Sequence, residues 1–137
     1  MGRELRSGNS SFKTVATINY KDKGTKPGKF VGKFIGVKVG VGQFNQKVYS
    51  FEAIDGDLPT VIKIEGVYVP VDINVGDTVE IWGCTTLNQI LTRETPAGAV
   101  EPTVNPGEKV ELVFEGLLPS KVKGRKPFYA FSAAVID

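Results

Sequence analysis

KFVGKFIGVKVGV, residues 29–41, is the stretch that decides the fold class of this chain. β-Branched residues occupy alternate positions along it, with a lysine in one of those places, and this is the period-2 pattern of a β-strand. Glycines stand at positions 32, 36 and 40. Because glycine weakens a flat strand but suits one that bends sharply, the stretch predicts the first, strongly coiled strand of a small barrel.

The rest of the chain continues in short alternating runs separated by turns rich in Gly and Pro. These runs are residues 47–54, 60–64, 67–71, 78–82, 109–115 and 128–136. One segment, CTTLNQILTRE at 84–94, instead has Leu87, Ile90 and Leu91 at helical spacing, with Thr85 or Thr86 as the expected N-cap. The pattern predicts an all-β chain, a small antiparallel barrel or sandwich with one short helix.

The length of 137 residues suits a single domain. Residues 1–28 mix Ser, Gly, Asn, Lys and Pro, which predicts a flexible basic N-terminal arm with at most a short strand at 14–19. The folded domain is expected to span residues 29–137.

Composition argues against an enzyme. The chain has no histidine and one cysteine, Cys84, so a histidine-based triad, a Cys/His zinc site and an internal disulfide are all excluded. We find no acidic cluster for magnesium, and therefore expect no cofactor and no metal. No apolar run approaches the roughly 18 residues of a membrane span, and the N-terminus lacks a secretory signal. A cytoplasmic protein without a membrane partner is expected.

The formal net charge of +2 hides a strong asymmetry along the chain. Residues 1–47 carry ten Lys and Arg against two acids, whereas residues 48–118 carry three against twelve. Residues 119–137 are basic again, with four against one. If the two basic segments meet in the fold, one face is positive, as a polyanion binder needs. The alternative is that the charges interleave in space.

The most basic short segment is SKVKGRKPFYAF, residues 120–131. Its four cations, Lys121, Lys123, Arg125 and Lys126, precede three aromatic residues. A single-stranded nucleic acid offers phosphates to cations and bases to aromatic faces, so this turn is the first candidate for phosphate contact. A lysine-rich hairpin turn that merely stays polar is the equally weighted alternative.

Three phrases in the second half, EIWGCTTLNQIL (80–91), NPGEKVELVFEG (105–116) and KVKGRKPFYAFSAAV (121–135), resemble the small OB-fold single-stranded DNA-binding proteins of tailed bacteriophages. The resemblance covers about residues 80–136. It implies a five-stranded antiparallel OB-type barrel that binds single-stranded DNA without sequence preference during phage replication or recombination. RNA would suit the same chemistry, and exposed edge strands would permit a homodimer or filament.

The expected binding residues are cations and aromatics near the two basic segments. They are Lys33, Lys38, Phe44, Lys47, Tyr49, Phe51, Lys121, Lys123, Arg125, Lys126 and Phe128. Alternation places Phe128 outward and Tyr129 and Phe131 inward. Tyr49 and Phe51 are expected either as stacking rings beside Lys47 or, with equal weight, as core.

Three further placements depend on local pattern alone. Lys33 and Lys38 fall on opposite faces of a regular strand, so a simple groove holds one of them unless a bulge intervenes. Trp82 and Cys84 are expected in the core.

The competing function is a β-rich virion structural module, such as a decoration or tail adaptor protein, which would need no basic groove.

Overall fold

The computed structural model describes residues 15–21 and 24–136. These residues form ten strands and one helix. In chain order they are β1 Ala16–Ile18, β2 Gly28–Val41, β3 Gln46–Gly56, β4 Thr60–Ile64, β5 Val67–Pro70, β6 Thr78–Trp82, α1 Thr85–Leu91, β7 Thr92–Glu94, β8 Val100–Pro102, β9 Lys109–Leu118 and β10 Phe128–Ile136.

Eight of the strands form one sheet in the order β10-β9-β2-β3-β6-β1-β4-β5, and β7 and β8 form a separate hairpin. Neighbours are antiparallel except for β1 and β6, which are parallel. The prediction of an all-β chain with one short helix is confirmed. The sheet differs from the predicted five-stranded OB-type barrel, because it has eight strands and no pairing among the described residues joins its two ends.

Strand β2 is bent, as its glycines predict. Its first half pairs with β9 and nearly its whole length pairs with β3, and the β3 register shifts three times along it. Such irregularities bend a strand and increase its twist. Gly32 is required by close packing, because a Cβ there would lie 2.7 Å from the Phe30 ring and 3.0 Å from the Glu52 carbonyl oxygen.

The core lies on one face of the central strands. Tyr49 and Phe51 on β3 pair with Ile81 and Val79 on β6, and all four side chains are fully buried. The Phe34 ring packs against Phe51 with centroids 5.6 Å apart. Burial of each such side chain contributes about 1.5–3 kcal/mol, so these rows hold the sheet in its curved form.

Residues 15–21, which belong to the predicted flexible arm, are part of the folded unit. The short strand expected at 14–19 is present as β1, between β6 and β4. Tyr20 follows it and is buried, with its ring against Phe114, Tyr129 and Phe131. The domain boundary at residue 28 is corrected accordingly. Residues 1–14 and 22–23 of that arm lie outside the described residues.

Helix α1 is shorter than the pattern predicts, and its N-cap lies one residue before the first of the two expected caps, Thr85 and Thr86. It buries Leu87 and Leu91, and its N-cap is Cys84, without a capping side-chain hydrogen bond. Thr92 to Glu94, predicted as its last turn, are strand β7 instead. Among the described residues, no helix has the length and apolar character needed to cross a membrane.

Candidate nucleic-acid interface

The outward side of β2, β3 and β6 carries Lys33 and Lys38 on one face. The register shift between Phe34 and Gly36 inserts one extra residue between these two lysines. A bulge of this kind reverses the alternation beyond it. Lys33 is therefore paired with Glu52 and Lys38 with Val48. Both pairs lie on the face of β3 opposite Tyr49 and Phe51. A regular strand would have placed the two lysines on opposite faces. The bulge, which the sequence analysis left open, places them on the same face.

This outward face is mixed in charge. Lys38 Nζ lies 3.3 Å from Glu80 Oε2, with the lysine side chain 67% and the glutamate 21% exposed. A surface ion pair of this kind is worth about 0–1 kcal/mol, so an incoming phosphate can compete for the lysine. Lys33 has Glu52 as its cross-strand neighbour. The basic segments and the acidic middle of the chain therefore interleave on this face.

Two of the expected stacking residues, Tyr49 and Phe51, are core residues. Both have 0% exposed surface, so neither ring can meet a base. Tyr49 Oη donates a hydrogen bond to Asn88 Oδ1 at 2.6 Å, and burial raises the pKa of Tyr49 to about 12. Lys47, at the end of the same strand, lines a shallow pocket with Arg93 beside α1 and β7. The core alternative stated above holds for both aromatics.

The basic turn comprises residues 120–127 between β9 and β10. All four of its cationic residues are exposed. Gly124 has φ +86° at its tip, and the Arg125 N–H donates to the Val122 carbonyl at 3.2 Å. No ion pair joins Lys121, Lys123, Arg125 or Lys126 to another described residue. Their charges are therefore available to phosphates.

The final strand is oriented as its alternation predicts. Phe131 is buried, Tyr129 packs against the core, and Phe128 is 39% exposed next to the basic turn. Phe44 is 76% exposed in the turn between β2 and β3. Of the expected stacking rings, Phe44 and Phe128 are the two that a base can reach.

A cleft of about 370 Å³ lies between the end of β6, the segment after β1 and the β4–β5 hairpin. Two of its residues are partly exposed aromatics, Trp82 and Tyr68. Lys21 and Gln46 also line it. None of these four was expected at a site, and Trp82 was placed in the core. The signal for Trp82 was present in the sequence, because it shares its strand face with the polar Thr78 and Glu80.

Contacts connect the basic turn to this cleft and to Phe44. Tyr129 Oη, three residues beyond the turn cations, donates to the Lys21 carbonyl at 3.4 Å. Lys21 Nζ in turn lies 3.4 Å from the Gly83 carbonyl, beside Trp82. On the far side, a Cβ at Gly42 would lie 3.8 Å from the Trp82 ring, and Phe44 is two residues further. We call the residues linked in this way, the basic turn with Lys21, Trp82 and Phe44, the cationic–aromatic path.

The described residues hold no group of three or more His, Cys, Asp or Glu side chains placed to bind a metal ion. Comparisons with protein-family models, with curated proteins and with solved structures find no match for this chain.

Proposed function

We propose that this chain is a non-catalytic, sequence-tolerant single-stranded DNA-binding protein that acts in phage DNA replication or recombination. The observation that carries the proposal is the cationic–aromatic path. Four exposed cations that no described acid neutralises belong to it, together with the exposed rings of Phe128 and Phe44 and the partly exposed ring of Trp82. A groove of this composition suits a strand with unstacked bases, because cations track the phosphates while rings accept bases of any sequence.

The strand order supports the same function. Apart from the inserted β4–β5 and β7–β8 hairpins, four successive strands have the spatial order β9-β2-β3-β6, the Greek-key order, and β10 lies beside β9. An OB-type barrel is a partly open Greek-key barrel of five strands, and it binds oligonucleotides on its second and third strands and the adjoining loops. In this chain those elements are β3, β6, the turn that carries Phe44 and the basic turn.

The contributions of base stacking and of phosphate contacts predict how the binding affinity depends on salt. Each stacked base contributes on the order of 1–3 kcal/mol and depends little on salt. Each phosphate contact contributes about −0.7 to the slope of log affinity against log salt for a single strand. The four turn cations alone therefore predict a slope of about −3.

Titration of a fluorescent oligothymidine, followed by anisotropy at several salt concentrations, tests the proposal. We expect binding at low salt that weakens steeply with salt, and weaker competition by duplex DNA than by unlabelled single strands. Competition with RNA of equal length separates a DNA-binding from an RNA-binding domain. Absence of binding at low salt would overturn the proposal.

A virion structural module is the second candidate, favoured by the exposed apolar side chains of the edge hairpin. Ile64, Val67 and Tyr68 are 48%, 62% and 63% exposed. A structural module would pass through heparin and single-stranded DNA columns without retention, whereas a strand-binding protein would be retained and released by salt.

A further inference from the structure

Most residues of the cleft that contains Trp82 lie outside the five strands β2, β3, β6, β9 and β10. Its walls come from the segment after β1 and from the β4–β5 hairpin, with Trp82 and Gln46 contributed by the ends of β6 and β3. Its volume of about 370 Å³ lies at the lower end of the range for small-molecule sites, about 300–1,000 Å³. It is thus large enough for a ring-sized group, and none of its described lining residues belongs to the basic turn.

Two aromatic side chains give the cleft its chemistry. Tyr68 is 63% exposed, and Lys63 Nζ lies 5.6 Å from the centre of its ring. Trp82 is held through its backbone, since its carbonyl accepts a hydrogen bond from the buried Tyr20 hydroxyl. One ring is thus anchored to the core, while the other stands on the edge hairpin.

The charges at the cleft indicate which class of ligand it can bind. Lys21 lines the cleft and Lys63 lies beside the Tyr68 ring, and none of the nine described residues that line the cleft is acidic. A second cleft of similar size, about 400 Å³, lies beside the start of β1; its described lining residues include Asp72 and Asp77 and no aromatic residue. A polyanion with aromatic bases fits the first cleft and is repelled by the second.

We propose that a nucleobase of the bound strand enters this cleft and stacks on Trp82 and Tyr68, with its flanking phosphates at Lys21 and Lys63. The Gln46 amide, which carries both donors and an acceptor, lies in the same cleft and can bond the edge of any base. This inference rests on the proposed function and adds its stacking site. The β4–β5 hairpin then forms one wall of the strand-binding surface.

The experiment uses Trp82 as its own reporter, because it is the only tryptophan in the chain. Oligothymidine is titrated while tryptophan fluorescence is recorded, and anisotropy of a labelled oligothymidine measures affinity independently. The variants are Tyr68→Ala, Tyr68→Phe and the control Val69→Ala, which truncates the neighbouring residue on the opposite face of the hairpin. Each variant's thermal unfolding is recorded to show that it is folded.

We expect fluorescence quenching that saturates with the binding curve. Tyr68→Ala should weaken binding by about 5- to 150-fold, which corresponds to about 1–3 kcal/mol for one stacked base, at an unchanged salt slope. Tyr68→Phe and Val69→Ala should bind like the unmodified protein. Salt-sensitive binding without quenching, and with Tyr68→Ala unaffected, would overturn this inference and leave the proposed function standing. Absence of any binding would overturn both.

Discussion

Tyr49 shows how much depends on which side of a strand a single ring occupies. It lies on the same strand as Lys47 and has an ordinary stacking residue's chemistry, yet it is fully buried and its hydroxyl bonds Asn88. We expect Tyr49→Ala to lower the free energy of unfolding by about 3–5 kcal/mol, as other large-to-small core changes do. Urea unfolding measures this.

Phe44→Ala is the counterpart on the surface, since that ring is 76% exposed. It should leave the free energy of unfolding within about 0.5 kcal/mol and weaken oligothymidine binding. The reverse result, a stable Tyr49→Ala protein or an unstable Phe44→Ala protein, would contradict the core assignment.

Buried tyrosines also set the alkaline limit of stability. Burial raises the pKa of Tyr49 to about 12, and burial together with the nearby Cys84 raises the pKa of Tyr20 well above its usual value. The unfolded chain releases these protons near pH 10, whereas the folded chain retains them. The stabilisation is therefore complete below pH 10 and is lost as the pH rises above it.

We expect the free energy of unfolding to fall by about 1 kcal/mol per pH unit for each buried tyrosine between pH 10 and 12. Tyr49→Phe should reduce this slope, whereas Phe44→Ala, which removes no titratable group, should not. Urea unfolding at pH 10, 11 and 12 gives the slopes, and equal slopes for all three proteins would contradict the assignment.

At the scale of elements, the curvature of β2 depends on glycines with different roles. A Cβ at Gly32 meets the Phe30 ring and the Glu52 carbonyl, whereas a Cβ at Gly36 meets no atom within 4 Å. Gly32→Ala should cost about 1–3 kcal/mol through overpacking. Gly36→Ala, the matched control on the same strand, should be neutral or slightly stabilising. If both variants change the melting temperature equally, crowding at Gly32 does not determine the bend of β2.

The basic turn is the element that carries phosphate contact in the proposed function. Replacing Lys121, Lys123, Arg125 and Lys126 together by Ala should weaken oligothymidine binding at low salt and flatten the salt slope by about 3. Thermal stability should stay unchanged, because all four side chains are exposed.

A charge-matched comparison controls for net charge. Lys123→Ala/Arg125→Ala and Lys47→Ala/Arg93→Ala each remove two positive charges, but the second pair lies at the pocket beside α1. Only the first pair should change the slope. If both pairs change it equally, binding follows net charge and the turn is not a site.

At the scale of the whole molecule, Tyr20 connects β6 with β9 and β10, which no strand pairing among the described residues joins directly. Its hydroxyl bonds the carbonyl at the end of β6, and its ring packs on β9 and β10. Tyr20→Ala should therefore destabilise the protein by about 3–5 kcal/mol, and Tyr20→Phe by about 1 kcal/mol through the lost hydrogen bond. A Tyr20→Ala protein as stable as the parent would show that residues 15–21 do not hold the sheet together.

Edge strand β5 limits how copies of the chain can join. The Val71 N–H bonds the Thr60 carbonyl, so position 70 would direct its N–H to the free edge, and Pro70 has none. Proline at this place protects an edge strand from extended pairing. A dimer or filament through β5 remains a proposal, and its ladder would be short.

Local pattern in the sequence determined the β class, the bend of β2, the exposed basic turn and the orientation of Phe128 and Phe131, because alternation and turn chemistry act over a few residues. Tertiary structure alone decided the rest. The bulge put Lys33 and Lys38 on one face, and packing placed Tyr49 inside. Trp82 and Tyr68 line one cleft because β1 holds the hairpin beside β6. Pairing between distant strands costs chain entropy that only the complete core offsets, so no short stretch encodes it.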